Sequence, residues 1–192
     1  MKTNTQINSK LILLLILFGS MFNLHAQNNI RMTSFYNSID KAAYYLVWDI
    51  KTGKSAQYYW NATASKWDKM EINLPAQPLT GATGNIMMDV FYNSIDKEAY
   101  YLVWDTKTGK SVQYYWDGAA SKWDKMEINL PAQPLPGATG EIGMKAYYDY
   151  NDKAAYYVVW DCASGKSIQY YWDATTSKWA KMEINLPADP LK

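Results

Sequence analysis

Polar and apolar residues alternate with period two through most of this chain, and the alternation is cut by short turns. In "WDKMEINLP" (67–75), Met70, Ile72 and Leu74 share one side, while Lys69, Glu71 and Asn73 share the other. That is the signature of a half-buried antiparallel strand. "SAQYYW" (55–60) places Ala56, Tyr58 and Trp60 on one face and Gln57 and Tyr59 on the opposite one. "RMTSFYN" (31–37) sets Met32, Ser34 and Tyr36 together, and "AAYYLVWD" (42–49) is rich in aromatic and branched residues that favour strands. Between these runs lie turn signals: "KTGK" (51–54), with a glycine where positive φ is needed, the loop "NATASK" (61–66), and "AQPLTGATGN" (76–85), where Pro and Gly exclude regular structure. No apolar series recurs at helical spacing, so the pattern predicts four short strands and no helix.

The same unit is written three times at a fixed offset. Trp48, Trp104 and Trp160 correspond, as do Trp60, Trp116 and Trp172, and Trp67, Trp123 and Trp179; these are all nine tryptophans. Residues 35–85 and 91–141 differ at eight of 51 positions, and the third copy has drifted further. The repeats run over 27–86, 87–142 and 143–192. The substitutions inform more than the identities. Ala56 becomes Val112 and Ile168, which keeps the position apolar and points it inward.

One four-stranded sheet of about 50 residues buries too little to stand alone, so the three must pack together. The expected class is all-β, with three tandem four-stranded antiparallel repeats forming β-propeller-like blades; a β-trefoil or β-prism is the alternative. Propellers take about four to eight blades, so a homodimer completing six blades is one way to close the structure. The stretch "YLVWDTKTGKSVQYYWDG" (101–118) resembles the blade core of fucose-binding lectins of the Aleuria/Ralstonia type. Those are six-bladed propellers, and some are assembled from short chains. The likeness lies in a strand, a turn ending Gly-Lys, and a strand closing on Trp-Asp-Gly, and it covers about a third of each repeat. Where that family carries its sugar-binding arginine, this chain has Leu46, Leu102 and Val158; where the family carries its glutamate, it has Gln57, Gln113 and Gln169. The resemblance therefore implies blade architecture more than it implies fucose.

Residues 1–26 read as a signal peptide. Lys2 and Lys10 precede the apolar run "LILLLILFGSMF" (11–22), which is short for a membrane span, and Ala26 offers a cleavage site. The expectation is a secreted, periplasmic or cell-surface protein with no membrane contact after cleavage. Cleavage also changes the available chemistry. His25, the one histidine, leaves with the leader, and 17 basic residues then face 18 acidic ones. Near-neutral charge gives no electrostatic case for a nucleic-acid partner. Cys162 stands where the other repeats have Ile50 and Thr106, and a lone cysteine makes no internal disulfide.

No imidazole, metal-ligand cluster, phosphate loop or nucleophile motif is present in the repeats, so neither an enzyme nor a cofactor is expected. The aromatics remain. By alternation, Trp60, Trp116 and Trp172 are assigned to the core. Trp67, Trp123 and Trp179 share a face with charged residues and open a strand at a loop. An exposed Trp beside amides and hydroxyls suits sugar recognition, because the ring meets the apolar face of a pyranose and the polar groups meet its hydroxyls. The candidate ligand-binding residues are Gln57, Tyr59 and Trp67, then Gln113, Tyr115 and Trp123, then Gln169, Tyr171 and Trp179. The reading is a carbohydrate-binding, lectin-like repeat protein whose partner is a glycan or another extracellular ligand, with weak sites combined through avidity. The alternative is a non-catalytic structural or protein–protein interaction module.

Overall fold

The computed structural model describes residues 29–182, apart from 38–41, 71–73, 94, 96, 118–119, 121, 127–129 and 174. The proposed leader 1–26 and the expected strand faces at 71–73 lie outside the described residues. The chain divides into two units at Arg31, and the unit from Arg31 onward carries the architecture discussed below.

Among the described residues there are twelve strands in three antiparallel sheets, each a meander in chain order. The first sheet holds β1 (Ile30–Asn37), β2 (Ala42–Asp49), β3 (Ser55–Asn61) and β4 (Lys66–Lys69). The second holds β5 (Ile86–Asn93), β6 (Glu98–Asp105), β7 (Ser111–Asp117) and β8 (Lys122–Lys125). The third holds β9 (Ile142–Asp149), β10 (Ala154–Asp161), β11 (Ser167–Asp173) and β12 (Lys178–Lys181). The expected repeat of four strands is present in all three copies, as propeller-blade-like sheets, but the fourth strand ends at Lys69 rather than running on to Pro75 as the alternation predicted.

The core lies between sheets. Leu46 and Trp48 of the first sheet meet Met88, Val90, Tyr101, Val103, Val112 and Tyr114 of the second. Leu102 and Trp104 of the second meet Met144, Ala146, Tyr157, Val159, Ile168 and Tyr170 of the third. The two clusters are one design shifted by one repeat. Alternate residues of one strand therefore serve different neighbours. In β6, Tyr101 and Val103 face the first sheet, while Leu102 and Trp104 face the third. This explains the near-continuous apolar run "AYYLVW": the strand is covered on both faces. The expectation that Gln57 and its copies point outward is corrected on the same ground. Gln57 and Gln113 are buried, because the face opposite Ala56 and Val112 is covered by the following sheet.

Hydrogen bonds fix neighbouring sheets in register. Trp48 and Trp104 donate their indole Nε1–H to the carbonyls of Ile86 (3.1 Å) and Ile142 (2.9 Å) in the next sheet. The amides of Ile86 and Ile142 donate to the carbonyls of Ile50 and Thr106, each at 2.6 Å. Tyr114 and Tyr170 donate their hydroxyls to the carbonyls of Pro78 and Pro134, each at 2.6 Å, and so pin the connections between sheets. Between the second and third sheets Lys145 also reaches the buried carboxylate of Asp89 at 2.7 Å, which accepts the amide of Ala146 as well.

The β6–β7 turn shows why its sequence is constrained. Gly109 has φ of +72°, and Pro134 of the following connection packs where a Cβ would project. Asp105 at the start of the turn accepts the amides of Thr83 (2.6 Å), Gly84 (3.0 Å) and Lys107 (2.8 Å). Asp161 repeats the arrangement with Thr139, Gly140 and Ala163. For Asp105, burial pushes the carboxyl up, but the amides of Thr83, Lys107 and Gly84 outweigh it and hold the group below its usual value. The Thr139 and Ala163 amides hold Asp161 well below that value, against desolvation.

Two outcomes are expected. Gly109→Ala should destabilise the protein by about 2 kcal/mol in urea unfolding, since it is strained at positive φ and meets a proline ring. Because both aspartates are harder to protonate folded than unfolded, their stabilisation is complete above the usual carboxyl pKa of 3.8 and is lost as pH falls through their depressed values. Urea midpoints should therefore hold from neutral pH to about pH 5 and drop below about pH 4, with a shallower drop in Asp105→Asn.

Candidate interblade sites

The candidate residues are distributed over both faces of each sheet. Pairing across β3 and β4 sets Trp60 opposite Trp67, and the later sheets set Trp116 opposite Trp123 and Trp172 opposite Trp179. Directly paired residues share a face. Trp60 and Trp67 therefore lie together, with ring centroids 5.4 Å apart in an edge contact, and the other two pairs repeat this at 5.5 and 5.4 Å. The assignment of Trp60 to the core is corrected accordingly. Trp60 is 42 % exposed and Trp67 47 %, while Trp116 and Trp172 are half-buried. Alternation within one strand is blind to the register between two, which is what places the tryptophans together.

In the second and third sheets, each Trp pair faces the preceding sheet. Across the gap, that sheet presents an aromatic ladder. Phe35 stacks on Tyr44 at 5.1 Å, with Tyr59 beyond at 6.3 Å from Tyr44. Phe91, Tyr100 and Tyr115 repeat the ladder in the second sheet. The result is a slot with a ladder on one wall and a Trp pair on the other. The first slot has a volume of about 210 Å³ and combines Phe35, Tyr44, Gln57 and Met70 with Tyr101, Trp116 and Trp123. The second, about 250 Å³, combines Phe91, Tyr100, Gln113 and Met126 with Trp172 and Trp179. Both are smaller than the roughly 300–1,000 Å³ typical of drug-sized ligands, which suits a single small ring. Lys97 with Glu98 stands at the rim of the first, and Lys153 with Ala154 at the rim of the second.

Thus Gln57 meets Trp123, and Gln113 meets Trp179; glutamine and tryptophan of one repeat do not share a slot. Tyr59 and Tyr115 continue the ladders outside the slot linings. Trp67 lies on the face of the first sheet away from Gln57, in an open aromatic hollow with Tyr36, Tyr45 and Trp60 that also takes in Tyr44 and Tyr59, so the candidates Tyr59 and Trp67 do meet there. Gln169 and Tyr171 lie on the third sheet, where Gln169 donates to the Tyr147 hydroxyl at 2.9 Å. The slot residues that the alternation missed include Phe35, Tyr44, Met70 and Trp116. Tyr44 and Trp60 were visible as unchanged aromatics in all three copies, but only the packing of one sheet on the next gives such residues a shared site.

Polar atoms at the slots have distinct states. The Tyr101 hydroxyl donates to Gln57 Oε1, and the Gln57 amide rests on Met70 Sδ. Burial drives the Tyr101 hydroxyl far above the usual tyrosine value, so it remains a donor at any physiological pH. Gln113 Oε1, of the second slot's lining, and the hydroxyl of Tyr157, in the core behind it, are buried without a hydrogen-bond partner. Trp123 Nε1 and Trp179 Nε1 are likewise buried and unpartnered. Such groups cost free energy unless something satisfies them.

No protein-family model and no curated protein matches this chain. The site therefore rests on geometry: a repeated β-sheet module with repeated aromatic clusters. Trp116 and Trp172 of the slot walls belong to neither buried core cluster. Trp116→Ala and Trp172→Ala should each lower stability in urea unfolding by no more than about 1 kcal/mol, whereas Trp104→Ala should cost about 3–5 kcal/mol.

Proposed function

We propose that the slots between sheets bind neutral sugar rings, which makes the chain a carbohydrate-binding, lectin-like repeat protein. The observation that carries this reading is the recurrence of one slot at the repeat spacing, with aromatic walls and with buried, unpartnered polar atoms on its lining residues Gln113, Trp123 and Trp179. A pyranose ring offers apolar C–H faces to the ladder and the Trp pair. Its hydroxyls are both donors and acceptors, so a ligand whose entry turns these buried atoms toward the slot would accept from Trp179 Nε1–H and donate to Gln113 Oε1. A purely apolar ligand would leave these atoms unsatisfied, and a strongly charged one finds no buried counter-ion among the lining residues. The reading needs no catalytic group and no cofactor. Export, as expected from the leader at 1–26, would place the slots where extracellular glycans are met. Two or more weak slots on one chain would bind a polyvalent glycan by avidity.

A glycan array combined with intrinsic tryptophan emission tests the proposal. Neutral glycans should bind and change the emission, and Trp116→Ala with Trp172→Ala should weaken binding about tenfold per slot, or about 1.4 kcal/mol. Failure of every glycan on the array to bind would overturn it and leave the protein-interaction alternative.

A further inference from the structure

The first and third sheets each carry half of an interface that the chain builds twice internally. The second and third sheets bury one face against the sheet before them, and Met88 and Met144 on those faces are each 2 % exposed. Met32 holds the same position in the first sheet and is 62 % exposed. Tyr45, Val47 and Tyr58, which correspond to the buried Tyr101, Val103 and Tyr114, line an open apolar hollow of about 400 Å³ with Met32 and Trp67. The third sheet shows the opposite half. Leu46, Trp48 and Gln57 are buried by the sheet that follows them, but Val158, Trp160 and Gln169 are only half-buried. Cys162 is exposed where Ile50 and Thr106 are 5 % exposed. In sequence, 183–192 matches 71–80, so that Leu186 and Leu191 align with Leu74 and Leu79, which are buried between the first two sheets.

The slots divide in the same way. On the first sheet Tyr45, Trp60 and Trp67 are the Trp-pair wall of a slot, with no sheet before them among the described residues, and their hollow runs round the sheet to Tyr44 and Tyr59. Tyr147 stacked on Tyr156 at 5.3 Å, with Gln169, is the ladder wall. One chain thus holds two whole slots and the two separate halves of a third.

We infer that a second copy of this chain docks the exposed face of its first sheet onto the third sheet of the first copy, and the reverse, so that each junction completes one further slot. The docked surface continues an interface the sequence already encodes, with corresponding residues on both sides. The contact is heterologous, so it must either close or polymerise. Two copies give six sheets, within the roughly four to eight blades that close a propeller, whereas three copies give nine. The docking stands on the repeated interface. Its slot count borrows from the carbohydrate reading, but its test uses no sugar.

Light scattering or sedimentation of the purified chain should give twice the mass of one chain, and Cys162 should react slowly with a thiol reagent. Met32→Glu places a charge on a side chain that is solvent-exposed in a single copy. It should retain the strand signature in circular dichroism, yield the mass of one chain, and make Cys162 react at least tenfold faster. A single-chain mass for the unmodified protein at all concentrations, an open series of larger assemblies, or a pair unaffected by Met32→Glu would each overturn the inference. Absence of sugar binding with a two-chain mass would instead count against the carbohydrate reading alone.

Discussion

The packing of one sheet's forward face against the next sheet's rear face is the interaction on which everything else depends. A four-stranded sheet of this size cannot bury enough apolar surface by itself. Its strands are apolar on both sides because both sides are meant to be covered. Leu46 and Trp48 against Tyr101 and Val103 form the pattern, and Leu102 and Trp104 against Tyr157 and Val159 repeat it. The indole-to-carbonyl bonds from Trp48 and Trp104 add direction to a contact that hydrophobicity alone would leave free to slide.

The candidate sites follow from that packing. Where the faces meet tightly, aromatics and branched residues fill the space. Next to Tyr101 lies the slot, with a ladder on one side and a Trp pair on the other. A repeat can therefore own two unlike half-sites, one on each face, and no repeat holds a complete site. Changing a residue such as Gln113 alters the slot with the third sheet, whereas changing Trp123 alters the slot with the first. The repeated turns serve the same end, since Asp105 and Gly109 anchor the connections that lie against the neighbouring sheets.

Much of the fold was legible in the sequence. The period-two runs, the Gly-Lys turns and the fixed offset between copies define four-stranded repeats, and the structure has them. Face assignment was harder. Val112 and Ile168 do mark a packed face, whereas Ala56 is half-buried on the open face of the first sheet, and placing the opposite face in solvent assumes a sheet covered on one side only. Gln57 and Gln113 are buried because each is covered by the following sheet. The Trp60–Trp67 pairing depends on the register across the "NATASK" loop, a non-local property that alternation does not encode. The candidate residues were of the right types for the slots, with partners that only the stacking of sheets could supply.

On the proposal made above, a ligand enters at the interblade slots, beside their unpartnered indoles. Nuclear magnetic resonance of the tryptophan Nε1–H groups during titration with an array-selected glycan tests it most directly. The Trp123 and Trp179 signals are predicted to move while those of Trp48 and Trp104, bonded to carbonyls in the core, stay fixed. Bound glycan that leaves Trp123 and Trp179 unmoved would contradict it.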